Sequence, residues 1–314
     1  MKLGRQTTLK KSVTVSGQGV HSNAPVSITF NPAPAHSGIS FIRTNLPNGA
    51  ERTIEAKWSR VSTTELCTVL GDPSRGAVST VEHLMAALMG LGIDNLSIEI
   101  DGPEVPIMDG SASAFVAAID WAGIKTLSAS RRYIKILKPV RVEHGRSFSE
   151  LRPAASGFHM DVAIDFPVPV IGAQSKAMEL TPARFRREIS RARTFGMLRD
   201  VEKLWKLGFA LGSSLENSIA VDDNRILNPE GLRSADEFVC HKMLDAVGDL
   251  ALAGAPIVGT YRAFCPGHKM NFLVLQAMFA DRSSFEYVEA PARAEPLFAD
   301  FGRSPMPAFA VEAS

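Results

Sequence analysis

An α+β fold made of two similar units is what this sequence predicts, and three patterns carry the expectation. The chain has 314 residues, about twice the roughly 150 of one ordinary domain. Each half opens on short segments that alternate apolar and polar residues, the period of half-buried strands. Each half then adds a stretch with helical spacing, a further strand and a second helical stretch, so the halves echo one another in architecture while sharing no residue-level repeat.

The first unit, residues 1–128, begins with strands at Ser12-Val13-Thr14-Val15-Ser16-Gly17 and Val26-Ser27-Ile28-Thr29-Phe30, bounded by turns such as Asn31-Pro32-Ala33-Pro34. Val81, Leu84, Met85 and Leu88 then recur at helical spacing until Gly90 and Gly92 end the pattern. A strand from Asn95 to Ile100 turns at Asp101-Gly102-Pro103 and leads through Ile107-Met108-Asp109-Gly110-Ser111 into a helix from Ala112 to Ala122. The boundary falls near Ser128-Ala129-Ser130-Arg131.

The second unit, residues 129–288, has strands at Tyr133 to Leu137, Val140 to Val142 and Met160 to Asp165, and another near Ser190 to Phe195. Ser234 and Glu237 form a capping-box pair that starts a helix carrying Phe238, Leu244, Val247 and Leu250. A strand over Phe272-Leu273-Val274-Leu275 and a final helical patch complete the unit. Residues 198–226 read as an insertion with apolar faces (Leu204, Trp205, Leu207, Phe209, Leu211), and 289–314, rich in proline, as a loosely held tail.

Composition excludes several classes. Lys plus Arg (34) balances Asp plus Glu (33), and basic residues are not interleaved with aromatics, so a nucleic-acid-binding module is disfavoured. No apolar run reaches the roughly 20 residues that span a bilayer, and the first ten residues hold no signal-peptide core. Three cysteines, Cys67, Cys240 and Cys265, are an odd number in a chain large enough to build a core, which favours a reducing cytoplasm over a disulfide framework.

His241 and Asp245 stand four apart on the Ser234-started helix and so project from one face, as two metal ligands do. A core histidine bonded to a carboxylate one turn away is the plainer explanation of the pair taken alone. A hydrolytic metal site needs about three protein ligands and a nearby base. His83 is the best third ligand, and the preceding Glu82 could take a proton from water, although Ser79-Thr80-Val81-Glu82 is also a capping box that would give Glu82 a purely structural task. His21 and His268 lie in Gly-rich turns, where function and simple solvation are both common.

Five stretches in one register resemble a known family: Ser79-Thr80-Val81-Glu82-His83-Leu84, Gly90-Leu91-Gly92-Ile93-Asp94-Asn95, Pro106-Ile107-Met108-Asp109-Gly110-Ser111, Ser190-Arg191-Ala192-Arg193-Thr194-Phe195-Gly196, and His241 through Asp249. Together they are similar to LpxC, the UDP-3-O-acyl-N-acetylglucosamine deacetylases of lipid A synthesis, over about Gln6 to Val288. The resemblance implies two α/β sandwiches like ribosomal protein S5 domain 2, each with an insertion, and an active site between them. It implies Zn2+ on His83, His241 and Asp245, Glu82 as general base, Thr194 as donor to the oxyanion, His268 as second acid/base group and Asp249 as the carboxylate that orients it. It places Lys242, His21 and Cys67 at the substrate, Phe195 and the insertion near Phe209 to Ser213 along an acyl-chain passage, and Phe166 near the uridine. The substrate implied is UDP-3-O-acyl-N-acetylglucosamine, met in the cytoplasm with at most transient contact with the inner membrane and no obligate protein partner. A zinc hydrolase of another acylated amine is the alternative.

Overall fold

Period-two segments fold as the strands their pattern requires. The structure is a computed structural model and describes residues 4–222 and 225–289. Its elements in chain order are β1 (Arg5–Leu9), β2 (Val13–Gln18), β3 (Pro25–Pro32), β4 (Ile39–Arg43), β5 (Arg52–Glu55), β6 (Val61–Thr63), β7 (Val69–Leu70), α1 (Glu82–Leu91), β8 (Leu96–Ile100), α2 (Ser113–Ala122) and β9 (Ile124–Ser130). There follow β10 (Arg132–Ile136), β11 (Val140–His144), β12 (Ser147–Arg152), β13 (Phe158–Asp165), β14 (Ala173–Glu179), α3 (Pro182–Arg184), β15 (Phe195–Met197), α4 (Leu198–Lys206), β16 (Ile219–Asp222), β17 (Arg225–Ile226), α5 (Glu237–Ala251), β18 (Ile257–Phe264), α6 (His268–Ala280) and β19 (Phe285–Glu289). In β3, Val26, Ile28 and Phe30 are buried, and in β13 so are Phe158, Met160, Val162 and Ile164, while the intervening residues are more exposed.

A five-stranded sheet runs β2-β3-β8-β4-β5, antiparallel except for the β4–β8 pair. A seven-stranded sheet runs β11-β12-β18-β10-β19, with β13 joining β18 and β14 joining β13. Helices α1 and α5 pack against each other. One continuous apolar cluster includes Leu84 and Leu88 of α1, Phe238, Leu244 and Val247 of α5, Ile28, Phe30 and Ile98 of the first sheet, and Met160, Val162 and Tyr261 of the second. The expected boundary near residue 130 lies at the end of β9, which pairs antiparallel with β1.

Several expectations are corrected. Phe272 to Leu275 is not a strand but the middle of α6, where Asn271, Val274, Leu275 and Met278 form the buried stripe. Phe272 and Leu273 are also partly covered, so the apolar run hid its helical period. Among the described residues the last element is the strand β19 rather than a helical patch. Ser190 to Thr194 is a turn that follows a π-helical segment, Phe185–Ile189, and only Phe195–Met197 is extended. Helix α1 stops at Gly92, which takes the left-handed conformation of a C-cap at φ +75°. The tail from residue 290 onward lies outside the described residues. Among those described, no helix is long and apolar enough to cross a membrane.

Candidate active site

Helices α1 and α5 meet at Glu82 and Gly248. A Cβ on Gly248 would come within 1.9 Å of the Glu82 carbonyl oxygen, so only glycine admits this approach. The close crossing sets the Glu82–His83 turn of α1 beside the His241–Asp245 face of α5. Asp245 Oδ1 is 3.3 Å from His241 Nε2 and 3.5 Å from His83 Nε2. Donors bound to a tetrahedral cation at about 2.0–2.1 Å stand roughly 3.3–3.4 Å apart, so these spacings suit one. All three side chains are buried, and their donor atoms lie within 4.8 Å of one another.

The surroundings prepare the donors for a cation. His241 Nδ1 lies 3.1 Å from the Ala192 carbonyl, which can only accept, so Nδ1 carries the proton and the Nε2 lone pair faces the cluster. Burial, opposed by Asp245, brings His241 down to about 3 and keeps it neutral. Lys242 Nζ donates to Asp245 Oδ2 at 2.9 Å, leaving Oδ1 toward the histidines. Although burial alone would raise Asp245, its contacts with the two histidines and the charge of Lys242 hold it well below the usual carboxylate range.

A carboxylate and an imidazole flank the donors. The capping-box role of Glu82 is ruled out by its contacts: α1 has no side-chain cap, and Glu82 Oε2 accepts from the Thr68 backbone N–H at 3.2 Å. Its Oε1 faces His268 Nε2 at 3.7 Å. Burial raises the Glu82 pKa against the pull of His268 and His83. His268 Nδ1 donates to Asp249 Oδ2 at 2.9 Å. Burial would lower His268, but Asp249 and Glu82 outweigh it and hold the imidazole at about 10.

Thr194 is placed by two glycine- and arginine-dependent contacts. Its backbone N–H donates to the Gly110 carbonyl at 2.8 Å, and Gly110, at φ +79°, leaves no room for a Cβ against the Asn217 carbonyl. The preceding Arg193 is buried and donates to Glu237 from its backbone N–H at 3.0 Å and from Nε at 2.9 Å. Glu237 therefore does not complete a capping box with Ser234. Its carboxylate binds Arg193 and the Arg233 N–H, tying the turn before Thr194 to the start of α5. A buried charge of this kind persists only when paired and fully bonded.

A cleft of about 480 Å³ joins these groups. Glu82, His83, His241, Lys242, Asp245, Thr194 and His268 line one end; Leu198, Val201, Leu204 and Trp205 of α4, with Leu215 and Ile219, line the other. Phe195 forms part of the wall, packing edge-on to Phe238 at 4.9 Å and to His241 at 6.0 Å between ring centres. His21 reaches the cleft from the β2–β3 loop, which buried Glu104 holds through the N–H groups of His21 and Ser22 at 2.9 and 3.0 Å. Burial lowers the His21 pKa despite the nearby Glu104 carboxylate.

Not every expected residue reaches the cleft. Phe166 stacks edge-on behind Phe195 at 5.5 Å and is absent from the lining. Cys67 is buried in a small cluster with Val69 and Ala77, its thiol pushed up to about 12 by burial and by Glu82. In the insertion Leu204, Trp205, Ala210 and Ser213 line the cleft; Leu207 (71% exposed) and Leu211 do not, and half-exposed Phe209 packs edge-on against His21 at 6.0 Å between ring centres. Sequence reasoning missed Thr68, Glu104 and Asn271, none of which belongs to a local ligand or acid/base pattern. The only hint of Glu104 was its place after the Asp101-Gly102-Pro103 turn.

Convergent nitrogen and oxygen donors, a carboxylate and a charged imidazole in one largely apolar cleft have the make-up of a metal-assisted hydrolytic centre. A family model described as UDP-3-O-acyl N-acetylglycosamine deacetylase, LpxC, matches residues 6–280. Curated UDP-3-O-acyl-N-acetylglucosamine deacetylases from Brucella ovis, Brucella canis and Brucella melitensis are each 49% identical over 286 residues, which cover 91% of this chain and 99% of theirs. The chain belongs to the LpxC family.

Proposed function

We propose that this protein is a zinc-dependent deacetylase that hydrolyses the acetamide of UDP-3-O-[(3R)-hydroxyacyl]-N-acetylglucosamine to the free amine and acetate, a step toward lipid A, in the cytoplasm. The observation that carries the reading is the junction of the His83–His241–Asp245 donor set with an apolar arm in one cleft. An acylated sugar needs both. The 49% identity to the Brucella deacetylases supports the same substrate. The division into two S5-like units, at residues 1–128 and 129–288, belongs to this reading.

A cation on His83, His241 and Asp245 would polarise the amide carbonyl and make the attacking water more acidic. Glu82, made more basic than a surface carboxylate by burial, removes the proton from that water as its oxygen bonds to the carbonyl carbon. The Thr194 hydroxyl donates to the oxyanion that develops. Amines leave poorly unless protonated, and His268, held charged by Asp249, gives its proton to the nitrogen as the C–N bond breaks. This leaves Glu82 protonated and His268 neutral; the proton passes from Glu82 back to His268, 3.7 Å away, and the acetic acid released with the free amine gives its own proton to solvent as acetate. Lys242 and His21 line the same cleft, which supports a contact with the sugar and its substituents.

The test pairs metal analysis with turnover of UDP-3-O-acyl-N-acetylglucosamine and of simple acetamides. Stoichiometric zinc with turnover of the nucleotide sugar alone is expected. Equal turnover of simple acetamides would instead favour a hydrolase of other acylated amines.

A further inference from the structure

The Asp249 carboxylate is almost fully buried, yet it meets more donors than the one histidine it serves. Its Oδ1 accepts from the Thr68 hydroxyl at 2.6 Å. Its Oδ2 accepts from His268 Nδ1 at 2.9 Å and from Asn271 Nδ2 at 2.8 Å. Thr68 and Asn271 are themselves buried. A carboxylate offers about four lone-pair directions, so three donors leave this one little freedom to rotate.

The Asn271 donor is fixed in turn. Tyr261 O–H lies 2.5 Å from Asn271 Oδ1 and donates to it, which orients the amide with its NH₂ toward Asp249. With that proton committed, the Ser149 hydroxyl, 3.0 Å from the Tyr261 oxygen, donates to it. Ser149, Tyr261 and Asn271 thus form a one-way chain of donors ending on an anion, an arrangement in which each bond polarises the next. On the opposite side, Thr68 donates its backbone N–H to Glu82 Oε2 at 3.2 Å and its hydroxyl to Asp249. One residue therefore touches both carboxylates on which the acid/base pair depends.

We infer that Thr68 and Asn271, the latter backed by Tyr261, are positioning residues that act through Asp249 to hold the His268 imidazole with Nδ1 bonded and Nε2 toward the cleft. The inference rests on the deacetylase reading for its kinetic consequence but not for its geometry. Released from Thr68 or Asn271, the carboxylate turns about its own bond and His268 loses its fixed direction. The acid step slows while the cleft that binds substrate is unchanged, so kcat falls and KM does not.

Thr68→Val is the sharpest test, because it exchanges a hydroxyl for a methyl and keeps the N–H that serves Glu82. Its kcat should fall about tenfold or more, the scale of a lost hydrogen bond to a charged group, with KM unchanged and Thr68→Ser restoring most of the loss. Tyr261→Phe should give a smaller fall in the same direction. In an Asp249→Asn background Thr68→Val should have no further effect. Independently of substrate, the His268 Nδ1–H proton, observed by NMR on the zinc-loaded protein, should exchange with water faster in Thr68→Val than in the wild type. Wild-type kcat together with unchanged proton exchange in Thr68→Val would overturn the inference, as would a kcat loss that adds in full to that of Asp249→Asn. A wild-type protein that fails to turn over the nucleotide sugar, while Thr68→Val still loosens the His268 proton, would sink the deacetylase reading and leave the positioning role standing.

Discussion

The two ends of the cleft are built on opposite principles. At the polar end every group sits on a helix or a buried turn, and each is held by at least one named partner: Asp249 by Thr68, His241 by Ala192, Glu82 by Thr68. The apolar end rests on α4, a nine-residue helix with no fully buried residue, whose Leu204 and half-exposed Trp205 line the cleft while Lys203 and Lys206 face solvent. Trp205 is tied only to its own segment, through the Ala210 carbonyl at 2.7 Å. A reacting centre demands fixed distances, and the polar groups are bolted to the core; an alkyl chain, if the proposed substrate binds there, would demand only area removed from water, which an amphipathic surface helix can supply.

This contrast can be broken most completely at His241. His241→Ala should lose the bound cation together with all detectable turnover, and metal content measured beside activity decides it. Full metal content in the variant would place the donor set elsewhere. Glu82→Gln should keep the cation and lose about 10²–10⁴-fold in kcat. Its stability should not fall: the folded-state pKa of Glu82 is raised by burial, so its ionised form is destabilising above the ordinary carboxylate pKa, and a neutral amide removes that burden. Thermal unfolding of both proteins at neutral pH checks the sign.

At the apolar end the effects should be graded rather than all-or-none. Each acyl methylene buried contributes about 0.8 kcal/mol, so shortening the chain by four should lower kcat/KM by roughly two-hundredfold. Trp205→Ala should flatten that dependence, and kinetics across an acyl-length series would show it. An efficiency indifferent to chain length would remove the passage and leave the polar end intact.

The smallest expected change is in the alkaline limb of activity. His268 is held at about 10, so it stays protonated across neutral pH, and kcat should decline only as pH rises through that value. Because the folded pKa is raised, the stability gained from the imidazolium is complete below about 6.5, the ordinary value, and is lost as pH climbs toward 10. Asp249→Asn removes the largest pull upward, and both the kinetic limb and the stability decline should move to lower pH. A pH–rate profile unchanged in the variant would show that Asp249 does not set the charge of His268.

What could be read from sequence follows the range of the interaction. His241 and Asp245 were legible because a helix repeats every turn, and Glu82 and His83 because they adjoin on one helical start. The Thr68–Asp249 bond joins residues 181 apart, and nothing local announces it. Glu237 was read as a cap because its spacing from Ser234 is right, yet buried Arg193 outcompetes the cap with three bonds to the same carboxylate. Helix α6 was mistaken for a strand because its apolar residues reach around most of its circumference, which erases the period that distinguishes the two. The crossing of α1 over α5 was invisible for a different reason. Gly248 is an unremarked helical glycine until the Glu82 carbonyl is placed beneath it.

The unbroken apolar cluster has a consequence for how the chain folds and fails. Leu84 and Leu88 of α1 belong to the same buried body as Phe238 and Val247 of α5, although about half the chain separates them. Neither half can therefore reach its native free energy alone, since a chain ending near residue 130 would leave the α5-facing side of α1 in water. Cooperativity should thus extend across the molecule, with both sheets lost in a single transition rather than one after the other. Contacts of such long sequence separation also slow the search for the native state. The half-formed chain accordingly exposes α1 until α5 arrives, which is the interval in which aggregation competes with folding.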